Sequence, residues 1–132
     1  MKTLIVEDDF TNRLLLQTFL SRFGECHVAV NGKEAVDAFR SAQDGGLGYD
    51  LICMDILMPE MDGHEAVEAI RTCERDWIAD SVPRARIIMT TSLNDISHVT
   101  RSVRADCDAY LLKPIDLSRL LHQLKSLGLV AM

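Results

Sequence analysis

The sequence predicts an α/β fold in which one parallel sheet carries crossover helices on both faces. Three observations lead there. Short β-rich runs alternate with helical patterns from end to end. Three of the five strand candidates are nearly all apolar, as a strand covered on both faces must be. Between them, apolar residues recur at helical spacing.

The elements follow in order. Thr3 to Val6 reads as the first strand, and Leu15 and Phe19 mark the helix after it. Cys26 to Val30 is the second strand; Ala35, Val36 and Phe39 give the next helix its apolar face, and Asn31 followed by Glu34 offers a capping box. The glycine-rich segment Ser41 to Gly48 reads as a loop. Asp50 to Met54 is the third strand, and Ala66, Val67 and Ile70 mark a third helix whose start carries a second box, Asp62 with Glu65. Thr72 to Ala85, with Trp77 and Pro83, is a long connection to the fourth strand, Arg86 to Met89. Ala109 to Leu112 is the fifth strand. Leu117, Leu120, Leu121, Leu124 and Leu127 then make one continuous helical stripe.

With 132 residues and 48% hydrophobic content the chain can bury a real core, and residues 1–132 read as one domain without an attached output domain. A net charge of −6, with 14 basic residues scattered along the chain, argues against direct binding of nucleic acid, which needs clustered Lys and Arg. No apolar stretch approaches the roughly 18 residues of a membrane span, and the N-terminus turns acidic at Glu7, unlike a signal peptide. The expected location is cytoplasmic. Cys26, Cys53, Cys73 and Cys107 are too dispersed for a zinc or redox centre and read as free thiols, with Cys53 in the core. His27, His64, His98 and His122 fall on different elements and read as surface or packing residues.

In an open parallel sheet, ligands bind beyond the carboxyl ends of the strands. The first strand ends in Glu7-Asp8-Asp9, the third in Asp55, the fourth in Thr90-Thr91-Ser92 and the fifth in Lys113-Pro114. Every strand except the second delivers a polar group to that edge. Carboxylates gathered there repel one another, so either some are protonated or a cation neutralises them. All-oxygen ligands favour Mg²⁺ or Mn²⁺, and Mg²⁺ takes only one or two carboxylates, which leaves Asp55 an oxygen free to attack phosphorus. Lys113 then suits the phosphoryl oxygens, with a hydroxyl from Thr91 or Ser92 beside it. Taken alone, Glu7, Asp8 and Asp9 fit a polar loop at a helix N-terminus; Asp9 suits a cap better than a metal.

These residues carry a resemblance. Glu7-Asp8 after Leu4-Ile5-Val6, Asp55-Ile56-Leu57-Met58-Pro59 with Met61-Asp62-Gly63, Thr91-Ser92, and Tyr110-Leu111-Leu112-Lys113-Pro114 stand in the order found in the receiver domains of bacterial two-component response regulators. The chain resembles that family over essentially its whole length, in its chemotaxis-type single-domain form. The resemblance implies a flavodoxin-like doubly wound (βα)5 fold with strand order 2-1-3-4-5. It implies Asp55 as phosphoacceptor, supplied by a histidine kinase or phosphotransfer protein. Asp8, Asp55 and the carbonyl of Leu57 would bind Mg²⁺, with Glu7 acting through water. Thr91 and Lys113 would hold the phosphoryl group, and Thr91 with Tyr110 would form a switch pair altering a fourth-helix, fifth-strand and fifth-helix face where an unknown downstream protein docks.

Departures from the family pattern carry expectations too. Asp106 stands where a glycine usually ends the fourth helix, and the long Thr72 to Ala85 connection should meet the opposite, carboxylate-free edge of the sheet, away from the chemistry. Leu57 and Leu93 border the water path in this family and offer nothing to orient water, so self-dephosphorylation should be slow. Asn12-Arg13, Asn31 to Ala35 and Met61 to Ala66 are similar to receivers of hybrid kinases, which keeps a relay role open beside a stand-alone one. The protein is expected to be a signalling domain, not an enzyme. One alternative is a phosphorylation-independent interaction module, against which the full residue set speaks. The other is a Mg²⁺-dependent aspartyl-phosphate phosphatase, which would need an aspartate where Leu57 stands.

Overall fold

The computed structural model describes residues 1–56, 58, 61–76, 84–92 and 106–131. Along the chain it gives β1 (Thr3–Val6), α1 (Phe10–Leu20), a 3-10 turn (Ser21–Phe23), β2 (Cys26–Ala29), α2 (Gly32–Asp44), β3 (Leu51–Asp55), α3 (Gly63–Arg75), β4 (Arg86–Thr91), β5 (Ala109–Leu112) and α4 (Leu117–Ser126). The fourth helix expected between the fourth and fifth strands lies outside the described residues, so α4 is the fifth helical pattern of the sequence.

All strands are parallel in one sheet of order β2-β1-β3-β4-β5, the doubly wound arrangement. Alternation along the strands divides the core between its faces. Leu4, Val6, Ile52, Met54, Ile87 and Met89 meet Ala35, Val36 and Phe39 of α2 and Ala66, Val67 and Ile70 of α3. Ile5, Leu51, Cys53, Ile88 and Leu111 meet Leu16, Phe19 and Leu20 of α1 and Leu120 and Leu124 of α4. Each large aliphatic side chain so buried contributes about 1.5–3 kcal/mol, and β1 and β3 are buried along their whole length.

Local signals set the helix starts. The side chains of Asp9, Asn31, Asp62 and Asp116 accept backbone N–H bonds from Asn12, Glu34, Glu65 and Ser118, capping α1 to α4 in turn. Two boundaries differ from the sequence reading. Ser41 to Asp44 continue α2, because Ala42 packs against the core and Gln43 donates to the Cys73 carbonyl at 3.2 Å; the helix stops only at Gly45. Likewise α3 runs on through Arg75, which shortens the connection to β4. Residues 77–83 of that connection, including Trp77 and Pro83, lie outside the described residues, as does His98.

At the amino end of the sheet, Arg71 is buried at 3% exposure and all three of its guanidinium nitrogens donate. It bonds the carbonyls of Asp106 (2.8 Å) and Ala85 (2.8 Å) and the carboxylates of Glu74 (2.6 Å) and Asp108 (3.2 Å). Glu74 and Asp108 in turn accept the N–H groups of Ala85 and Ile87. This cluster fastens α3 to the entries of β4 and β5 and sits at the edge away from Glu7, Asp8 and Asp55, where the connection was expected; Glu74 and Asp108 mean that this edge is not free of carboxylates.

Candidate functional site

Alternation also aims the charged side chains. Ile5, Cys53 and Leu111 point to the α1/α4 face, and the residues two further on in their strands are Glu7, Asp55 and Lys113. Because β1 and β3 are adjacent and in register, Glu7 and Asp55 emerge beside one another. Glu7 is fully buried and Asp55 only 5% exposed, while Asp8 is open to solvent. Oxygens of all three carboxylates lie within 4.8 Å of one another, a cluster able to hold a metal ion.

Lys113 answers this charge from the far side of the sheet. Its Nζ stands 3.2 Å from each Glu7 oxygen and 3.2 Å from Asp55 Oδ1. A lysine preceding a proline is held at the strand end by its own backbone, which donates to the Thr91 carbonyl at 2.7 Å. Burial opposes the lysine's charge, but Asp55 and Glu7 outweigh it and its pKa is raised. Asp55 moves further: burial first, then repulsion from Glu7, push its carboxyl from an ordinary 3.8 to about 7, although Lys113 pulls it down. Three carboxylates therefore face a single lysine among the described residues. Hard oxygen donors with surplus negative charge fit a hard divalent cation.

The loop from β1 is braced by α1. Asn12 Nδ2 donates to Glu7 Oε1 at 3.4 Å, and Arg13 donates to the Glu7 and Asp8 carbonyls at 3.1 and 3.4 Å. Asp9 is engaged as the α1 cap, as its place outside the acidic pair suggested. Thr90 is the register partner of Asp55, and Thr91 follows it at the end of β4; both are buried. Tyr110 pairs with Met89, so Tyr110 and Thr91 lie on one face of the sheet, the α2/α3 face. Leu57 and Leu93 lie outside the described residues. The structure thus brings Glu7, Asp8, Asp55 and Lys113 together, while Thr91, at the end of β4, lies with Tyr110 on the α2/α3 face and its hydroxyl donates to the Ser92 carbonyl at 3.3 Å.

Residues 3–125 match the model of the response regulator receiver domain. The chain belongs to that family. The receiver is 35% identical over 129 residues to hybrid signal transduction histidine kinase B of Dictyostelium discoideum, covering 93% of this chain and 6% of that protein. It is 28% identical to the chemotaxis protein CheY of Thermotoga maritima, over 96% of this chain and 97% of that one. Among solved structures it is similar to the Saccharomyces cerevisiae complex of the histidine phosphotransfer signaling protein Ypd1 and the receiver domain of its downstream response regulator Ssk1: TM-score 0.82, 29% identity, 98% of this chain and 89% of that one. The receiver spans less than two thirds of the length of the first relatives it matches, from 4% to 49%. Among the described residues no helix is long and apolar enough to cross a membrane.

Proposed function

We propose that this receiver is a phosphorylation-driven signalling switch in which Asp55 takes a phosphoryl group from a histidine kinase or phosphotransfer protein, in a reaction that requires Mg²⁺. The observation that carries this reading is the placement of Lys113 Nζ at 3.2 Å from both Glu7 and Asp55, inside a carboxylate cluster with charge left over. Asp8 and Asp55, with the Leu57 carbonyl, would hold the ion, and Glu7 would act through water. When bound, Mg²⁺ supplies neutralisation of the carboxylates and of the phosphoryl oxygens.

The chain's own residues do the rest. An Asp55 carboxylate oxygen attacks the phosphorus in line, the O–P bond forming as the P–N bond of the donor imidazole breaks and its electron pair stays on nitrogen. Lys113 holds a phosphoryl oxygen, and the Thr91 hydroxyl donates to another. The pull on Thr91 is passed to Tyr110 on the same sheet face, which shifts the balance between two conformations. Beside Tyr110, a groove of about 480 Å³ lined by Leu112, Ser118, His122 and Gln123 supports a target docking along β5 and α4. On this reading the receiver catalyses at most its own phosphorylation and dephosphorylation.

Intact-mass spectrometry after incubation with a small acyl-phosphate donor tests the reading. One phosphoryl adduct on the native chain is expected, absent without Mg²⁺ and absent in Asp55→Asn. An adduct that persists in Asp55→Asn rejects Asp55 as acceptor. Followed over time, the native adduct should outlast seconds, since Leu57 and Leu93 provide no group to orient water; a shorter lifetime refutes that part.

A further inference from the structure

β2 sends no side chain to the site, yet the segment after it reaches the loop that leaves Asp55. Gly32, the first residue of α2, is buried and donates its N–H to the Met61 carbonyl at 3.1 Å. A Cβ at Gly32 would lie 2.3 Å from that oxygen and 2.9 Å from its carbon. Both atoms are backbone, so no side-chain rotation relieves the overlap.

Met61 belongs to the stretch between Asp55 and α3, and its two ends are fixed. Ile56 donates to the Thr90 carbonyl at 3.1 Å, Gly63 donates to the Ile56 carbonyl at 2.8 Å, and a Cβ at Gly63 would lie 2.4 Å from the Asp55 carbonyl oxygen. Gly32 is a hold on this stretch from a separate element. Its own direction is set by the α2 cap, in which Asn31 accepts the Glu34 N–H at 2.8 Å and Glu34 accepts the Val30 N–H at 3.1 Å. The same segment meets the acidic pair, for the Glu7 N–H donates to the Ala29 carbonyl at 3.1 Å.

We infer that Gly32 is a positioning residue of the cation and phosphoryl site: by holding Met61, two residues before the Gly63 that packs on the Asp55 carbonyl and donates to Ile56, it holds the start of α3 against Asp55 without touching the ligand. This rests on the reading of Glu7, Asp8 and Asp55 as the Mg²⁺ site. Supports of this kind hold ligand groups in register, and losing one typically weakens metal binding by roughly 10- to 100-fold. Intrinsic preference helps to isolate the effect. Gly32 is helical and alanine is the better helix former, so any loss in Gly32→Ala comes from the contact with Met61.

Two measurements test it. In ¹H–¹⁵N spectra of the native chain titrated with MgCl2, the Gly32 and Met61 amides should shift with the same saturation as Asp8. In Gly32→Ala, shown folded by circular dichroism, Mg²⁺ affinity should fall roughly tenfold or more. Gly45→Ala, where the nearest atoms are 3.6 and 3.7 Å away, should bind as the native chain does. A Gly32 amide that stays still while Asp8 and Asp55 move overturns the inference, as does native affinity in Gly32→Ala. The native titration decides the matter even where the variant does not fold. Silence at Asp8 and Asp55 as well removes the Mg²⁺ reading itself, and this inference with it.

Discussion

The two ends of the sheet both hold buried charge, and they hold it differently. At the amino end, Arg71 is matched on every side by two carboxylates and two carbonyls, and Arg84 and Arg86 add further cover to Asp108. At the carboxyl end, Glu7 and Asp55 share Lys113 with the exposed Asp8 beside them, and burial followed by repulsion from Glu7 drives Asp55 up to about 7. A buried cluster that satisfies itself serves the fold. One left with excess charge waits for something to bind.

The largest expected effect lies at the satisfied end. Arg71→Met leaves Glu74 without its cation and Asp108 with only the outer Arg84 and Arg86, and it frees the entries of β4 and β5, so unfolding stability should drop by about 3–5 kcal/mol in urea titration, with no rescue by Mg²⁺. A loss under 1 kcal/mol would mean that this end is not held by charge.

The opposite sign is expected at the other end. Asp55→Asn removes a repelled charge and should raise stability in metal-free buffer, on the order of 1–2 kcal/mol once the shift from 3.8 to about 7 is discounted for the open side of the site. The pH dependence follows from the same shift. A carboxyl whose folded pKa is raised favours the folded state fully below about 3.8, and that contribution is lost as pH rises through about 7. Between pH 5 and pH 8 the native chain should therefore lose Tm relative to Asp55→Asn, and saturating Mg²⁺ should close the gap; parallel melting curves at both pH values would break the contrast between the ends.

The smallest effect sharpens it. Arg84 is half exposed and only one of several partners of Asp108. Arg84→Ala should cost less than about 1 kcal/mol by the same urea titration, whereas a larger loss would show that the amino end depends on its outer arginines as well.

Much of this was legible in the sequence, because period-two alternation and strand-end chemistry are local signals. The acidic pair, Asp55 and Lys113 follow from short strands that place their charges at one edge, whereas the strand order was implied by the resemblance to receiver domains. Asp9, Asn31 and Asp62 announce their helices for the same reason: a cap acts within three residues. What escaped is non-local. Three of the four partners of Arg71 lie 14, 35 and 37 residues away, and a glutamate three residues on is what a solvated helical arginine would also have. Gly32 reads as the partner of a capping asparagine, and only the assembled fold shows Met61 pressed against it. The continuation of α2 through Ser41 to Asp44 was hidden by the glycines that follow and depends on Gln43 reaching α3.

Calorimetric titration of Mg²⁺ tests the central claim most directly. The native chain is expected to bind one Mg²⁺, Arg84→Ala to bind it equally well, and the double variant Asp8→Asn with Asp55→Asn to lose binding. No binding by the native chain, or native affinity in the double variant, would contradict the assignment of the unbalanced end as the site.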